Sequence, residues 1–141
     1  MDVHSKEVRS YNMSRVKSKN TKLEEIVRKY LFSKGLRYRK NVRTLPGCPD
    51  ILLPKYKAAV FVNGCFWHVH EGHPCFKWPK SNTIFWQKKL NLNQIRDADN
   101  YKKLSVMGWK VIIVWQCELK KKCFENRMNQ LMYEIKGNQK D

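Results

Sequence analysis

The sequence predicts an α/β fold in which a mixed central β-sheet is flanked by helices. Three segments carry apolar residues at three- and four-residue spacing, a pattern typical of amphipathic helices. Short runs rich in β-branched and apolar residues stand between them and are typical of buried strands. The order is a helix, three strands, a long helix, a strand and a final helix. Because sheets and helices must bury their apolar faces against each other, we expect one sheet covered by helices.

The clearest helix occupies residues 21–34, and Gly35 ends it. Thr21 and Glu24 have the spacing of a capping box, in which the glutamate reaches back to the start of the helix. From spacing alone, this structural role is the favoured one for Glu24. Residues 1–20 are polar and basic. We expect them to form an arm suited to phosphate contacts.

Strand-like runs follow at residues 36–42, 50–53 and 58–62. A turn rich in proline and glycine separates the first two runs. Asp50 and Asn63 bracket the last two, which we therefore predict to form a hairpin.

The second half of the chain contains a long helix at residues 83–107, ended by Gly108, and a strand at 109–115. A basic amphipathic helix and a polar tail occupy residues 118–141. No internal repeat and no interdomain linker interrupt the chain. We therefore expect one domain over residues 1–141 that includes the arm at 1–20 and the basic helix and tail.

The charge of the chain favours a polyanionic partner, and nucleic acid is the first candidate. Lysine and arginine number 29 against 12 acidic residues, which gives a formal charge of +17. Solubility alone explains this less well, because a small domain usually needs a net charge of only about 2–8. The chain has no apolar run of about 18 residues and no signal-peptide pattern at its start. We expect a cytoplasmic protein that does not span a membrane.

Residues 63–75 concentrate potential metal ligands directly after the third predicted strand. They include two cysteines, three histidines and one carboxylate. Soft sulfur and imidazole ligands this close together favour zinc, which takes four of them in a tetrahedron. A further cysteine lies just past the end of the fourth strand. We expect a structural zinc site with the ligands Cys65, His70, Cys75 and Cys117.

Spacing alone leaves one ligand position open between Cys75 and His73. We prefer the thiolate, because it is the commoner ligand in closed structural sites. The alternative to a zinc site is a pair of unrelated reduced cysteines with exposed histidines. An odd total of five cysteines without a secretion signal makes a disulfide framework a poor explanation. Cys48 and Cys123 are left over, and we expect both to be small buried apolar residues.

A second constellation begins at Pro49-Asp50. Many nucleases place Pro-Asp at one strand and an acid-x-Lys tripeptide on the next, so that the acids hold Mg²⁺ and the lysine orients the attacking water. The spacing is kept here, but Phe61 and Asn63 stand in the positions of the acid and the lysine. A lone Pro-Asp is more often a simple turn than a metal site.

Five short motifs follow one another between residues 46 and 117. They are Pro-Gly-x-Pro-Asp at 46–50, Gly-Cys-Phe-Trp-His-x-His at 64–70, Pro-Lys-Ser-Asn-x-x-Phe-Trp at 79–86, Arg-Asp at 96–97 and Gly-Trp-x-Val-x-x-Val-Trp-x-Cys at 108–117. In this order and spacing they resemble the very-short-patch repair DNA mismatch endonucleases. The opening Asp2-Val3-His4, Arg9-Ser10 and Asn12-Met13 match as well, so the resemblance covers roughly residues 2–120.

The resemblance implies a restriction-endonuclease-like core with a structural zinc. It also implies Mg²⁺-dependent nicking of one DNA strand, 5′ to the thymine of a T·G mismatch. Such mismatches arise when 5-methylcytosine deaminates. The implied partners are double-stranded DNA with that mismatch and, functionally, a cytosine-5 DNA methyltransferase and repair machinery. We expect the protein to act as a monomer.

The resemblance also implies roles for individual residues. Asp50 binds Mg²⁺ together with the main-chain carbonyl of Val62. His68 matches the histidine that activates or orients the attacking water, while Glu24 and Asp97 match carboxylates that hold metal-bound water and His68. The residues that match those inserted into the duplex beside the mismatch are Phe66, Trp67, Trp86 and, from the other groove, Met13.

Two departures from the family pattern bear on the site. Asn63 stands where the best-known members carry a second active-site histidine, and the loop at 71–75 is one residue longer. In an extended segment His68 and His70 would lie on the same side, so separate catalytic and structural roles require a turn between them. For Trp67 and Trp86 the alternative role is packing, over the zinc and on the core face of a helix.

Two other functions compete with mismatch nicking. One is a restriction-type endonuclease on the same core that cuts intact paired duplex. The other is a zinc-containing nucleic-acid-binding module without catalysis, which is favoured if Phe61 and Asn63 mark an inactive site.

Overall fold

The computed structural model describes residues 21–137. The amino-terminal arm, with Met13, and the last residues of the polar tail lie outside this range. The helices and strands are α1 (Thr21–Ser33), β1 (Arg39–Lys40), β2 (Ile51–Leu53), β3 (Ala58–Asn63), α2 (Thr83–Val106), β4 (Lys110–Trp115) and α3 (Lys121–Lys136). Short 3₁₀ turns at Pro54–Tyr56 and Gln116–Leu119 connect some of them.

The four strands form one mixed sheet in the order β1-β2-β3-β4. β1 pairs with β2 and β2 with β3 in antiparallel fashion, so the predicted hairpin is present. β3 and β4 are parallel over six residue pairs, from Ala58 opposite Lys110 to Asn63 opposite Trp115. The parallel pair is joined through the long helix α2, as a crossover connection requires. The predicted mixed sheet flanked by helices is confirmed.

The alternation of side chains along β2 and β3 divides the core into two layers. On one face, Val60 and Val62 pack with apolar residues of α1, β4 and α3, including Leu31, Val114 and Leu131. On the other face, a second layer joins the sheet to α2 through Leu52, Ala59, Phe61, Leu104 and Tyr101. Asn63 alternates in phase with Phe61, so its side chain lies on the α2 side of the sheet.

The first strand is shorter than predicted and the final helix begins later than predicted, because regular hydrogen bonding covers fewer residues than the hydrophobic pattern does. Only Arg39 and Lys40 of the segment 36–42 pair with β2, and Asn41 then adopts a left-handed conformation with φ of 46°. The final helix begins at Lys121 because a 3₁₀ turn occupies Gln116–Leu119.

The expectation that both leftover cysteines are buried is wrong for Cys123, which is exposed on α3. Cys48 is half-buried. Neither cysteine forms a disulfide bond with another described residue. In the same part of the chain, none of the helices has the length and apolar character needed to cross a membrane.

Arg127 on α3 connects the last helix to the sheet. Its guanidinium is buried, pairs with Glu118 at 3.2 Å and Glu134 at 2.7 Å, and donates to the Ile113 carbonyl at 3.0 Å. Both carboxylates keep about a third of their exposure, so water partly compensates them when the arginine is removed. We expect Arg127→Met to lower the free energy of unfolding by about 2–3 kcal/mol, below the cost of breaking a fully buried pair.

Urea denaturation of the purified variant measures this loss. Arg43→Met, at an exposed position in the turn before β2, is the control and is expected to unfold like the wild-type protein. An unchanged unfolding midpoint for Arg127→Met would show that this ion-pair network does not stabilise the fold.

Candidate active site and metal centre

Asp50 lies at the start of β2, beside the end of β3. Its Oδ2 accepts a hydrogen bond from the Val62 main-chain N–H at 2.7 Å. In a β-strand the N–H and C=O of one residue point to the same edge, so the Val62 carbonyl faces the same side as Asp50. A carboxylate and a carbonyl oxygen on one side of a strand end are the kind of ligands that Mg²⁺ takes.

A second carboxylate lies close to Asp50. Glu24 on α1 is only 1% exposed and pairs with Arg28, one helical turn further on, at 3.3 Å. Burial, and then the charge of Glu24, raise the pKa of Asp50 to about 7, against the lowering effects of Val62, His68 and Arg28. A second carboxylate that raises the pKa of Asp50 favours a bound cation, which would hold both groups in the ionised form.

Gly47 allows the turn before Asp50 to lie against the sheet and α2. Its φ is +76°, and a Cβ there would come within 3.1 Å of the Asn100 Cβ and 3.2 Å of the Phe61 ring. A larger residue is therefore excluded both by its backbone conformation and by its neighbours. The proline- and glycine-rich turn fixes the position of Asp50 through this close approach.

The segment after β3 turns sharply between His68 and His70. The His68 N–H donates to the Gly64 carbonyl at 3.2 Å, and the His70 N–H donates to the Cys65 carbonyl at 2.9 Å. Val69 between them has a φ of 54°, which is unusual for a β-branched residue and costs about 1–3 kcal/mol. The two histidines thus take different surroundings, as separate roles require.

His68 contacts Asp97 of α2. The His68 Nδ1 lies 2.6 Å from the Asp97 Oδ2, and both side chains keep between a fifth and a third of their exposure. A carboxylate at Nδ1 favours the tautomer that carries its hydrogen there, which leaves Nε2 as a proton acceptor. This is the arrangement of a histidine prepared to act as a general base.

The donor atoms of Cys65, His70, Cys75 and Cys117 lie within 4.8 Å of one another. The His70 Nδ1 lies 3.0 Å from the Cys75 sulfur, 3.4 Å from the Cys117 sulfur and 3.8 Å from the Cys65 sulfur. Zinc bonds of roughly 2.0–2.3 Å in a tetrahedron correspond to ligand separations of about 3.3–3.8 Å. Three sulfurs and one imidazole nitrogen therefore fit zinc in number, kind and spacing.

The rings around His70 hold it in place. His73 stacks on one face at a centroid distance of 3.8 Å, and Trp115 stacks on the other at 4.0 Å. His73 thus contacts the His70 ring, while the Cys75 sulfur lies among the four grouped donor atoms. Burial raises the pKa of the Cys65 thiol to about 12 and lowers the pKa of His70. Imidazole is thus in the neutral form that binds metal, whereas the thiol needs a cation to become a thiolate.

Three aromatic side chains lie beside this loop, half-buried on a small core of Val69, Phe76 and Leu90. The Phe66 ring lies 5.2 Å from Trp67 and 5.3 Å from Trp86, with near-perpendicular planes. Each ring is packed on its neighbours yet keeps part of its surface in solvent. Such a cluster offers a rigid apolar edge.

Comparisons with known proteins agree with the motifs. A family model described as DNA mismatch endonuclease Vsr matches residues 1–77. The chain belongs to the Vsr family. A type II nicking enzyme from Neisseria meningitidis, V.NmeAIP, is 49% identical over 96% of both chains. The DNA mismatch endonuclease Vsr of Escherichia coli is 39% identical over 84% of this chain and 76% of its own, and V.XorIIP of Xanthomonas oryzae is 45% identical over 82% and 84%.

Membership of the Vsr family confirms the resemblance seen in the motifs and makes the chain an endodeoxyribonuclease with DNA as its partner. The α/β core is that of a restriction-endonuclease-like family. The Vsr relatives are endonucleases and nicking enzymes by name. The site described above is therefore the candidate active site of such an enzyme, with a separate cysteine–histidine cluster able to hold a metal.

Sequence reasoning missed several residues of this Vsr-family site. Arg28 pairs with Glu24, Tyr101 accepts a hydrogen bond from Asn63, and the buried Asn93 donates to the Trp67 carbonyl at 3.1 Å. Asn93 and Tyr101 flank Asp97 at spacings of four residues along α2. Asn93, Asp97 and Tyr101 place polar groups on one face of α2, the face that otherwise packs on the core. This pattern could have identified Asn93 and Tyr101 from the sequence.

Proposed function

We propose that the protein is a Mg²⁺-dependent endonuclease that nicks one strand 5′ to the thymine of a T·G mismatch left by deamination of 5-methylcytosine. The observation that carries the proposal is the combination of Asp50, held by the Val62 N–H at 2.7 Å, with a His68–Asp97 pair at 2.6 Å. The first provides a cation site and the second a proton acceptor. Hydrolysis of a phosphodiester needs both.

Each residue of the proposed centre has a defined task. Asp50 and the Val62 carbonyl would hold Mg²⁺, and Glu24 would hold water beside this site. When bound, the cation supplies charge that stabilises the phosphate oxygens during displacement. His68 accepts the proton of the attacking water at Nε2, while Asp97 keeps the imidazole in the required tautomer and stabilises its protonated form. Asn63 contributes to this centre through its hydrogen bond to the Tyr101 hydroxyl.

The second metal of the proposal is a structural zinc bound by Cys65, His70, Cys75 and Cys117. Three of these ligands belong to the loop after β3, and the fourth follows β4. Zinc would fix this loop to the sheet and thereby hold both His68 and the aromatic cluster in place. This zinc would take no part in the reaction at the phosphate, because protein side chains fill all four of its ligand positions.

Mismatch selectivity is assigned to the aromatic cluster. A mismatched pair is cheaper to unstack than a Watson–Crick pair, so apolar side chains that insert into the stack favour mismatched sites. Phe66, Trp67 and Trp86 present such an edge, and Met13, outside the described residues, would insert from the other groove. The high positive charge supplies the sequence-independent affinity for the backbone.

We expect Trp86→Ala to reduce the rate of nicking at a T·G mismatch by roughly tenfold, since stacking on a base is worth about 1–3 kcal/mol. Single-turnover kinetics on a mismatched duplex measure the effect. Phe32→Ala removes an aromatic side chain that is 57% exposed on α1 and is the control, with no change expected. Equal rates for both variants and the wild-type protein would remove Trp86 from the proposed wedge.

A strand-resolved nicking assay with Mg²⁺ tests the proposal as a whole. Duplexes with one T·G mismatch in varied flanking sequence are compared with fully paired duplexes, and each strand carries its own label. Nicking of the thymine strand alone, 5′ to that thymine, supports the mismatch-repair function. Cleavage of both strands of a paired site would instead identify a restriction-type endonuclease. Binding without cleavage would identify a zinc-containing binding module.

A further inference from the structure

The side chain of Asn63 is directed to a tyrosine of α2. Asn63 ends β3, is 3% exposed, and its Nδ2 donates a hydrogen bond to the Tyr101 hydroxyl oxygen at 2.9 Å. The amide donates and the oxygen accepts, so the hydroxyl hydrogen is not used in this contact. Among residues 21–137, the hydroxyl makes no second hydrogen bond. The contact thus orients the oxygen and leaves its hydrogen available.

The Tyr101 hydroxyl belongs to the candidate active site by its position. Tyr101 follows Asp97 by one helical turn, and residues four apart lie on the same face of a helix. Its ring packs edge-on against Phe61 at a centroid distance of 5.0 Å. Its hydrogen-bond partner Asn63 follows Val62, the residue that contacts Asp50. The hydroxyl is therefore placed between the His68–Asp97 pair and the Asp50 strand end.

The surroundings keep this hydroxyl protonated. Burial raises the pKa of Tyr101 most, and the carboxylate of Asp97 raises it further. The hydrogen bond from Asn63 lowers it, and the charge of Asp50 adds a smaller raising effect. A hydroxyl that remains protonated can donate a hydrogen bond but cannot act as a base. An acceptor for it must come from outside the described residues. The phosphate of the DNA backbone is such an acceptor and is the group on which this centre acts.

We propose that Tyr101 is a catalytic residue whose hydroxyl donates a hydrogen bond to a non-bridging oxygen of the scissile phosphate, and that Asn63 is its positioning residue. The inference rests on the proposed nuclease function. Water attacks phosphorus and gives its proton to His68, the bond from phosphorus to the leaving sugar oxygen breaks, and that oxygen takes a proton from solvent. Tyr101 transfers no proton. A donor placed at this oxygen lowers the barrier because negative charge grows there in the transition state. Asn63 thus has a function at the position where family members carry a histidine.

Tyr101→Phe tests the inference, because it removes the hydroxyl and keeps the ring that packs on Phe61. We expect the single-turnover nicking rate to fall by at least about tenfold, since loss of one such donor typically costs about 10²–10³. The affinity for mismatched duplex without Mg²⁺ should stay within error. The melting temperature should fall slightly, because the buried Asn63 amide loses its acceptor, but the protein should stay folded at the assay temperature. Tyr133→Phe on α3, 68% exposed, is the control with unchanged rate.

A second pair of measurements separates positioning from mere packing. Asn63→Ala should lose a similar factor, and the double variant with Tyr101→Phe should lose little more, because both act through one hydroxyl. A phosphorothioate that replaces the contacted oxygen weakens the hydrogen bond, so the factor lost by Tyr101→Phe should shrink for one diastereomer.

The outcomes are distinguishable. If the wild-type protein nicks DNA and Tyr101→Phe nicks at the same rate, the role of Tyr101 is wrong while the nuclease function stands. Additive losses in the double variant would overturn the role of Asn63 as its positioning residue. If the wild-type protein cleaves no duplex with Mg²⁺, the proposed function fails and this inference fails with it.

Discussion

Asp50→Asn is expected to reduce DNA nicking by about a thousandfold or more, because it removes the charged ligand at the proposed Mg²⁺ site. The amide oxygen can still accept the hydrogen bond that the Val62 N–H makes to Asp50 Oδ2 at 2.7 Å, so the strand ends should remain in place. Binding of a mismatched duplex should therefore survive. Single-turnover nicking and fluorescence anisotropy in the same buffer measure the two effects.

The same substitution should increase stability when no metal is present. The Asp50 pKa is raised from 3.8 to about 7, so the folded protein binds this proton more tightly than the unfolded chain does. Its favourable contribution is present below pH 4 and is lost as the pH rises through about 7. At pH 8 with chelator, Asp50→Asn should therefore melt at a higher temperature than the wild-type protein, and at pH 4 this advantage should disappear.

Asp99→Asn provides the control for both measurements. Asp99 lies on the exposed side of α2 and pairs with Lys103 in solvent, so neither nicking nor the pH dependence of melting should change. Full activity of Asp50→Asn would place the cation elsewhere. A loss of activity without the gain in metal-free stability at pH 8 would contradict the electrostatic account of the acidic pair.

Cys117→Ser is expected to lower the melting temperature by about 10–20 °C and to remove most of the bound zinc. Loss of one ligand weakens a site whose binding free energy is also folding free energy. A loss of about 4 kcal/mol corresponds to such a shift for a domain of this size. Elemental analysis measures the zinc content of both proteins, and we expect one zinc per chain in the wild-type protein. Melting curves of both proteins measure the loss of stability. A strong chelator should reproduce it without mutation.

Cys123→Ser is the matched control, because Cys123 is exposed on α3 and outside the ligand cluster. It should keep both the zinc and the melting temperature of the wild-type protein. If Cys117→Ser keeps the zinc content and the melting temperature of the wild-type protein, the cluster does not bind a structural metal. His73→Ala adds a comparison: it removes a ring stacked on His70, so zinc should be weakened but not lost.

The sequence by itself was sufficient for the fold class and the family. Periodicity located the helices and strands because the two-layer core demands apolar residues at those spacings. The same order of motifs led to the Vsr family, which the comparisons then confirmed. The four proposed zinc ligands could be named from their chemistry, because cysteine and histidine are uncommon and were concentrated in one loop and one strand end.

Other features depended on contacts between residues far apart in the chain. Spacing left Cys75 and His73 equivalent, whereas the fold places the Cys75 sulfur in the group of four donor atoms and stacks His73 on His70. Parity placed His68 and His70 together, whereas a strained turn at Val69 separates them. Tertiary packing outweighs the local preference of a β-branched residue here.

The surroundings of Asn63 show the same division most clearly. From the sequence, Asn63 was a departure from the family pattern, and Tyr101 belonged to none of the motifs that carry the resemblance. Only the packing of α2 against β3 brings the Asn63 amide within 2.9 Å of the Tyr101 hydroxyl. Sequence patterns record which face of an element is apolar, and that determined the fold. Hydrogen bonds between elements depend on their relative position, which only the tertiary structure decided.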